Sequence, residues 1–160
     1  MTTLLVLRHA KSPHAEGVVD HDRPILPEAR EQIASLARQL AAEGLVPGVV
    51  LSSDAVRAAA TAHAYAKAVS AGAPVLLPEL YTPGEPADLL SAIQTYGGEA
   101  RVLLLVGHNP GLEDFCNRLT SRPLLHRLGT GALAVFTVDL QAWSDLLFGT
   151  ARRIRLVESH

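Results

Sequence analysis

The feature of this 160-residue chain that most restricts its fold is a set of apolar runs without alternating polar residues. Leu4–Leu7 and Val102–Val106 are the clearest runs of this kind. Strands that are apolar on both faces are covered on both faces, which is typical of a mainly parallel sheet between two layers of helices. Further candidate strands are Val49–Leu51, Val75–Leu77, Ala132–Val138 and Arg152–Val157.

Helical patterns lie between the candidate strands. Apolar residues recur on one helical face between Pro27, which suits the first helical position, and Gly44, which suits the end of a helix. A second, alanine-rich helix follows Ser53-Asp54, either of which can cap it, and stops near Gly72. This alternation of strands and helices predicts an α/β fold, a three-layer α/β/α sandwich.

Two more helices are predicted in the second half of the chain. One starts near Pro86 and ends at Gly97-Gly98. The other opens at Asn109-Pro110, where asparagine is a good N-cap and proline suits the first helical position. We therefore expect the side chain of Asn109 mainly to cap this helix.

Composition limits the class of protein. A length of 160 residues with 48% hydrophobic content predicts one domain over residues 1–160. A net charge of −2 does not indicate a nucleic-acid partner. The single cysteine, Cys116, excludes an internal disulfide and a multi-cysteine metal site. A single cysteine also fits a reducing interior, so we expect a cytoplasmic protein. No apolar stretch is long enough to span a bilayer, and the N-terminal run is too short for a signal peptide, so we expect this run to be the first strand of a soluble domain.

Polar residues with useful chemistry directly follow the candidate strands. Arg8-His9 follows the first strand, His108 follows the long apolar strand, and Arg57 lies in the first turn of the second helix. In such sheets, ligands bind outside the carboxyl ends of the strands. Arginine binds phosphate oxygens through a planar fork, and imidazole is a competent nucleophile toward a phosphoryl group. The set supplies a nucleophile and a cationic cradle without a metal.

Three segments in this order resemble the motifs of one family: Leu7–Ser12, Ser52–Ala62 and Gly107–Pro110. They are similar to the Arg-His, second-arginine and second-histidine segments of the histidine-phosphatase superfamily, which includes the cofactor-dependent phosphoglycerate mutases. The Ala-Lys-Ser continuation after His9, followed by Asp22–Ile25, looks most like the SixA-type phosphohistidine phosphatases. The resemblance covers roughly residues 3–156.

The resemblance implies a phosphoglycerate mutase-like fold and a role for each matching residue. His9 would be the nucleophile that becomes phosphorylated, and Arg8 and Arg57 would bind the phosphoryl oxygens. His108 would bind and stabilise the transferring group, and Ser12 is a further candidate donor to the phosphate. No metal and no cofactor are implied.

The motifs do not identify the residue that protonates the leaving group. Glu79, after the third strand, is the candidate acid, whereas SixA-like members are thought to lack a dedicated acid. Imidazole is a better leaving group than an alkoxide, so a P–N bond needs less proton assistance. If Glu79 does not lie in the cleft, phosphohistidine should be a better substrate than alcohol phosphates.

We therefore predict a metal-independent phosphatase with a phosphohistidine intermediate on His9, acting on phosphohistidine in a protein. One alternative is a phosphatase for small phosphoesters such as sugar phosphates, with Glu79 as acid. Another is a non-catalytic domain that binds a phosphorylated ligand. Glycine-rich nucleotide-binding turns are missing after the first strand. The Asp20-His21-Asp22 group matches a metal site only in residue type, since its spacing fits no standard pattern.

Overall fold

The computed structural model describes residues 1–121 and 125–159. In this part of the chain, six strands form one sheet and four α-helices cover it. The strands are β1 (Thr2–Arg8), β2 (Val49–Ser53), β3 (Val75–Leu77), β4 (Val102–Gly107), β5 (Leu133–Val138) and β6 (Arg152–Val157). The helices are α1 (Pro27–Ala41), α2 (Val56–Ala68), α3 (Pro86–Tyr96) and α4 (Gly111–Leu119). None of these helices has the length and apolar character needed to cross a membrane.

The sheet has the strand order β3-β2-β4-β1-β5-β6 and is mostly parallel. β1 and β2 both pair with β4 in parallel, and β3 pairs with β2 in parallel. β5 pairs with β1 in antiparallel orientation, and β6 pairs in the same way with β5. The predicted α/β class and mostly parallel sheet are confirmed. Strands β5 and β6 follow each other in the chain without an α-helix between them, and an antiparallel pair needs no helical crossover.

Both faces of the sheet are covered, and this explains the apolar runs. Leu5 and Leu7 of β1 belong to one core cluster, with residues of α1 and α2. Leu4 and Val6 of the same strand belong to a second cluster, with residues of α3 and α4. Because successive side chains of a strand point to opposite faces, a strand between two helical layers is apolar at every position.

The second helix begins differently from the sequence prediction. The N-cap residue of α2 is Ala55, whose methyl side chain cannot cap a helix, so the prediction that Ser53 or Asp54 caps it is wrong. The hydroxyl of Ser53 accepts a hydrogen bond from Ala55 N at 3.1 Å, one residue ahead of the helix. The same hydroxyl is paired with a histidine described below, so a tertiary contact has replaced the local cap.

The prediction for Asn109 is also wrong. The N-cap residue of α4 is Pro110, which has no side-chain acceptor. The amide nitrogen of Asn109 instead donates to Leu128 O at 2.8 Å and to the Glu113 carboxylate at 3.0 Å. Capping requires a side-chain oxygen that accepts from the helix backbone, whereas here the amide nitrogen donates to groups farther along the chain. Asn109 therefore fastens the segment around residue 128 to the start of α4.

Candidate active site

Three neighbouring parallel strands end at the same level of the sheet. Arg8 of β1 lies opposite Gly107 of β4, and Ser52 of β2 lies opposite Val106 of β4. The backbone N–H of His9 continues this ladder by donating to Gly107 O at 3.1 Å. Residues that directly follow β1, β4 and β2 are therefore brought to one edge, as expected for a ligand site in an α/β sheet.

The two predicted histidines meet at this edge. The ring centroids of His9 and His108 lie 5.2 Å apart. Burial lowers the pKa of His9 to about 4 and the pKa of His108 to about 3, and the nearby charges of Arg57 and Arg8 act in the same direction on both. Both imidazoles are therefore neutral at neutral pH.

The hydrogen bond of His9 decides which ring nitrogen is free. His9 Nδ1 lies 2.8 Å from the backbone oxygen of Ala10. A carbonyl oxygen only accepts hydrogen bonds, so Nδ1 carries the hydrogen and donates it. Nε2 then holds the lone pair, which is the form that an imidazole needs to attack an electrophile.

Helix α2 fixes the segment that follows His9. The Thr61 hydroxyl donates to Arg57 O at 2.7 Å and accepts from Ala10 N at 2.9 Å. Thr61 is fully buried and Ala10 is 1% exposed, so water does not replace these bonds. The helix that carries Arg57 is thus joined to the residue whose carbonyl orients His9.

Three buried nitrogens of Arg8, Arg57 and His108 have no partner in the described part of the chain and are candidate donors to a ligand. Arg8 Nη1 donates to Leu128 O at 3.3 Å, and both Nη atoms of Arg57 donate to Asp20. Arg8 Nε, Arg57 Nε and His108 Nδ1 are buried and have no hydrogen-bond partner in the described part of the chain. Burial of unpaired polar groups is costly and uncommon. An oxyanion would supply acceptors for the two guanidinium groups.

His108 is held in place by a residue that sequence reasoning assigned elsewhere. His108 Nε2 lies 2.8 Å from the Ser53 hydroxyl, which is fully buried at the end of β2. This contact fixes the ring orientation and leaves Nδ1 without a hydrogen-bond partner in the described part of the chain. Ser53 lies just after a predicted strand, a position typical of site residues, but the same position also predicts a helix cap.

Asp20 and Tyr81 also join the site, and sequence reasoning missed both roles. The Asp20 carboxylate accepts from the Tyr81 hydroxyl at 2.5 Å and from Arg23 Nε at 3.1 Å. The Tyr81 bond, with the two arginines, lowers the pKa of Asp20 to about 2. The ring of Tyr81 lies 5.4 Å from that of His108 and 5.8 Å from Arg57 Cζ. Asp20 is 37 residues from Arg57 in sequence, so no local pattern indicates their contact.

Ser12 and Glu79 lie differently from the other predicted site residues. The Ser12 hydroxyl donates to Pro24 O at 2.6 Å, so its hydrogen is already engaged. Glu79 is exposed in a 3-10 turn, Pro78–Leu80. A cleft of about 250 Å³ opens beside Arg57 and His108, and Glu79 is not among the described residues that line it. The carboxylates on its lining are those of Glu85 and Asp114.

Within residues 1–121 and 125–159, no group of three or more histidine, cysteine, aspartate or glutamate side chains is placed to hold a metal ion. In the Asp20–Asp22 turn, His21 contacts Asp22 and Asp54, both at 3.2 Å, and Asp20 contacts arginines.

Solved structures of known proteins share this fold over nearly the whole chain. A protein of Agrobacterium tumefaciens that carries the name of the phosphohistidine phosphatase SixA is 28% identical, with a TM-score of 0.79 over 98% of this chain and 97% of that one. The corresponding protein of Nakamurella multipartita has a TM-score of 0.83 at 24% identity, over 99% of this chain and 96% of that one. The fold is therefore that of the α/β class to which these structures belong.

The sequence comparison gives the family. The model of the histidine phosphatase superfamily (branch 1) matches residues 4–80, the region that holds Arg8, His9 and Arg57. Residues 4–80, just under half of the chain, are thus similar to the histidine phosphatase superfamily, and the fold is similar to that of the two SixA structures. A protein of Mycobacterium tuberculosis is 33% identical over 105 residues, which is 65% of this chain and 63% of that protein's length.

Proposed function

We propose that residues 1–160 form one metal-independent phosphatase domain that removes phosphate from phosphohistidine in a protein. The observation that carries the proposal is the neutral His9, with its Nε2 lone pair free, within the electrostatic influence of Arg8 and Arg57, whose Nε atoms have no partner in the described part of the chain. A non-catalytic binding domain has no need of a nucleophile prepared in this way. A guanidinium pair for the oxygens and an imidazole for the phosphorus match the needs of phosphoryl transfer.

The proposed reaction has two displacements. In the first, His9 Nε2 attacks phosphorus, a new N–P bond forms, and the P–N bond of the substrate breaks. The departing imidazole takes a proton from water. Arg8 and Arg57 bind the equatorial oxygens, and His108 contacts the transferring group through Nδ1. In the second, water attacks the phosphohistidine, the bond to His9 breaks, and inorganic phosphate leaves as the proton of water is released.

The position of Glu79 disfavours this residue as the acid for alcohol phosphates, although the carboxylates of Glu85 and Asp114 line the cleft. The Glu79 carboxylate is exposed and is not among the described residues that line the cleft, so it is not placed to protonate an alkoxide. A departing imidazole needs less proton assistance. The alternative, a sugar-phosphate phosphatase with Glu79 as acid, needs a movement of the 3-10 turn at Pro78–Leu80 toward His108.

The proposal also includes the location of the protein and a minor role for Ser12. We place the protein in the cytoplasm, because its one cysteine, Cys116, is a buried free thiol. Ser12 contributes to phosphate binding only if its hydroxyl turns away from Pro24 O, so its contribution is the smallest of the set.

A phosphate-release assay tests the proposed function. The chain is assayed in EDTA, without added metal, on a phosphohistidine peptide, a sugar phosphate and an aryl phosphate. We expect the phosphohistidine peptide to be the best substrate and His9→Ala to lower its turnover by about a thousandfold or more. His63→Ala is the matched control, since His63 is an exposed histidine of α2, and it should retain wild-type activity.

Three results would contradict the proposal. They are full activity of His9→Ala, loss of wild-type activity in EDTA with recovery on adding a divalent ion, and efficient sugar-phosphate turnover abolished by Glu79→Gln. The third result would support the alternative substrate class.

A further inference from the structure

We propose that Asp20 is a positioning residue that fixes the Arg57 guanidinium so that its Nε–H remains free for the transferring phosphoryl group. The inference rests on the proposed function and adds to it a residue outside the three motif segments. Asp20 acts through Arg57 and does not itself touch the substrate.

The contacts between the two residues fix the guanidinium plane. Arg57 Nη1 donates to the backbone oxygen of Asp20 at 2.8 Å, and Nη2 donates to its carboxylate at 3.1 Å. Because the guanidinium is planar, two bonds to different nitrogens from one residue define both its position and its tilt. The Arg57 side chain is 7% exposed, and its Nε is buried without a partner in the described part of the chain.

Asp20 is itself held from two further sides. Arg23, which is 8% exposed, donates from Nε to the second carboxylate oxygen of Asp20 and from Nη1 to Ser12 O at 3.0 Å. The Tyr81 hydroxyl donates to the oxygen that Arg57 binds. A surface carboxylate with one ion pair contributes little, but a half-exposed carboxylate with three donors from separate segments is part of a network.

The charge of Asp20 permits a second interpretation, in which it competes with phosphate for Arg57. The two interpretations predict opposite kinetics. If Asp20 competes, its removal strengthens inhibition by inorganic phosphate and lowers KM. If Asp20 positions Arg57, its removal lowers kcat, because a displaced guanidinium no longer meets the oxygens of the transferring group. Positioning is favoured because the two bonds fix the guanidinium plane and because Nε, the donor that Asp20 does not bind, has no partner in the described part of the chain.

A double-mutant cycle tests the proposal. Turnover of the phosphohistidine peptide is measured for wild type, Asp20→Ala, Arg57→Ala and the double variant. We expect Asp20→Ala to lower kcat by about 10- to 100-fold, with KM changed by less than about threefold. The double variant should be no slower than Arg57→Ala alone, because Asp20 acts only through Arg57. Asp20→Asn should recover part of the loss, because its amide oxygen still accepts from Nη2.

Asp22→Ala is the matched control from the same 3-10 turn. The Asp22 carboxylate contacts His21, and the variant should keep kcat within about twofold of wild type. Thermal unfolding of each variant separates lost activity from lost folding, and Asp20→Asn replaces Asp20→Ala in the cycle if the alanine variant does not fold.

The proposal is overturned if the losses of the two single variants multiply in the double variant. It is also overturned if Asp20→Ala keeps its kcat while inorganic phosphate inhibits it more strongly, or if Asp22→Ala is equally slow. These outcomes differ from failure of the proposed function, in which the wild type itself does not act on the phosphohistidine peptide or His9→Ala stays active.

Discussion

The protonation state of His9 sets what this side chain does in the proposed reaction. An ordinary imidazole is partly protonated just below neutral pH, and a protonated ring has no lone pair. His9 is 7% exposed and lies near the charges of two arginines, so its charged form is disfavoured. Its Nδ1–H is used by a backbone carbonyl, which leaves one nitrogen for phosphorus.

We predict that the pKa of His9 lies below the usual histidine value of 6.5 and that the pKa of His21 lies above it. Burial lowers the pKa of His9 to about 4, whereas hydrogen bonds to Asp22 and Asp54 raise the pKa of His21. At pH 6, His9 is therefore neutral and His21 is mostly protonated. Ring-proton NMR titration, with each signal assigned by substitution of its histidine, measures both. A His9 midpoint near 6.5 would contradict this description of the site.

The histidines and arginines of the site could be predicted from the sequence, whereas Asp20 and Tyr81, which contact them, could not. Arg8, His9 and His108 follow predicted strands directly, and Arg57 opens a predicted helix. Tyr81 and Asp20 are 61 residues apart and meet only in the folded chain. Neither has a local signature, because each role depends on which loops the sheet brings together.

The elements assemble the site through strand order and one buried hydroxyl. The parallel strands β2, β4 and β1 are neighbours, so the residues at their carboxyl ends become neighbours too. Helix α2 then contributes both Arg57 and Thr61, and Thr61 ties the helix to the segment after β1. The geometry of His9 therefore depends on how α2 packs, as well as on its own strand.

We predict that Thr61→Val destabilises the protein by about 1–3 kcal/mol, because the buried N–H of Ala10 loses its acceptor while the side-chain volume stays nearly the same. Phosphate release should slow as well, since the Ala10 carbonyl orients His9. Urea denaturation and the phosphate-release assay measure the two effects.

Two variants serve as controls for Thr61→Val. Thr61→Ser keeps the hydroxyl and should recover most of both effects. Thr95→Val makes the same chemical change at an exposed position of α3 and should cost less than about 0.5 kcal/mol. Equal losses at Thr61 and Thr95 would contradict a specific role for the Thr61 hydroxyl.

For the chain as a whole, the pattern of apolar runs was sufficient to predict the layered architecture. Buried strands and amphipathic helices alternate along the sequence, and that order requires crossovers and a mostly parallel sheet. The antiparallel direction of β5 and β6 could not be predicted from the sequence, because an apolar run does not indicate whether a strand is parallel or antiparallel to its neighbour. The predictions for the caps of α2 and α4 were wrong because Ser53 and Asn109 bind partners distant in sequence, His108 and the backbone oxygen of Leu128, and not the backbone of the helix.

The central claim is that His9 becomes covalently phosphorylated during turnover. The direct measurement is to mix the protein with a ³²P-labelled phosphohistidine peptide, stop the reaction in alkaline detergent within one turnover, and count label on the protein. We predict label on the wild type that is stable in alkali, is lost in acid, and is absent from His9→Ala. Label that survives acid, or equal label on His9→Ala, would contradict the claim.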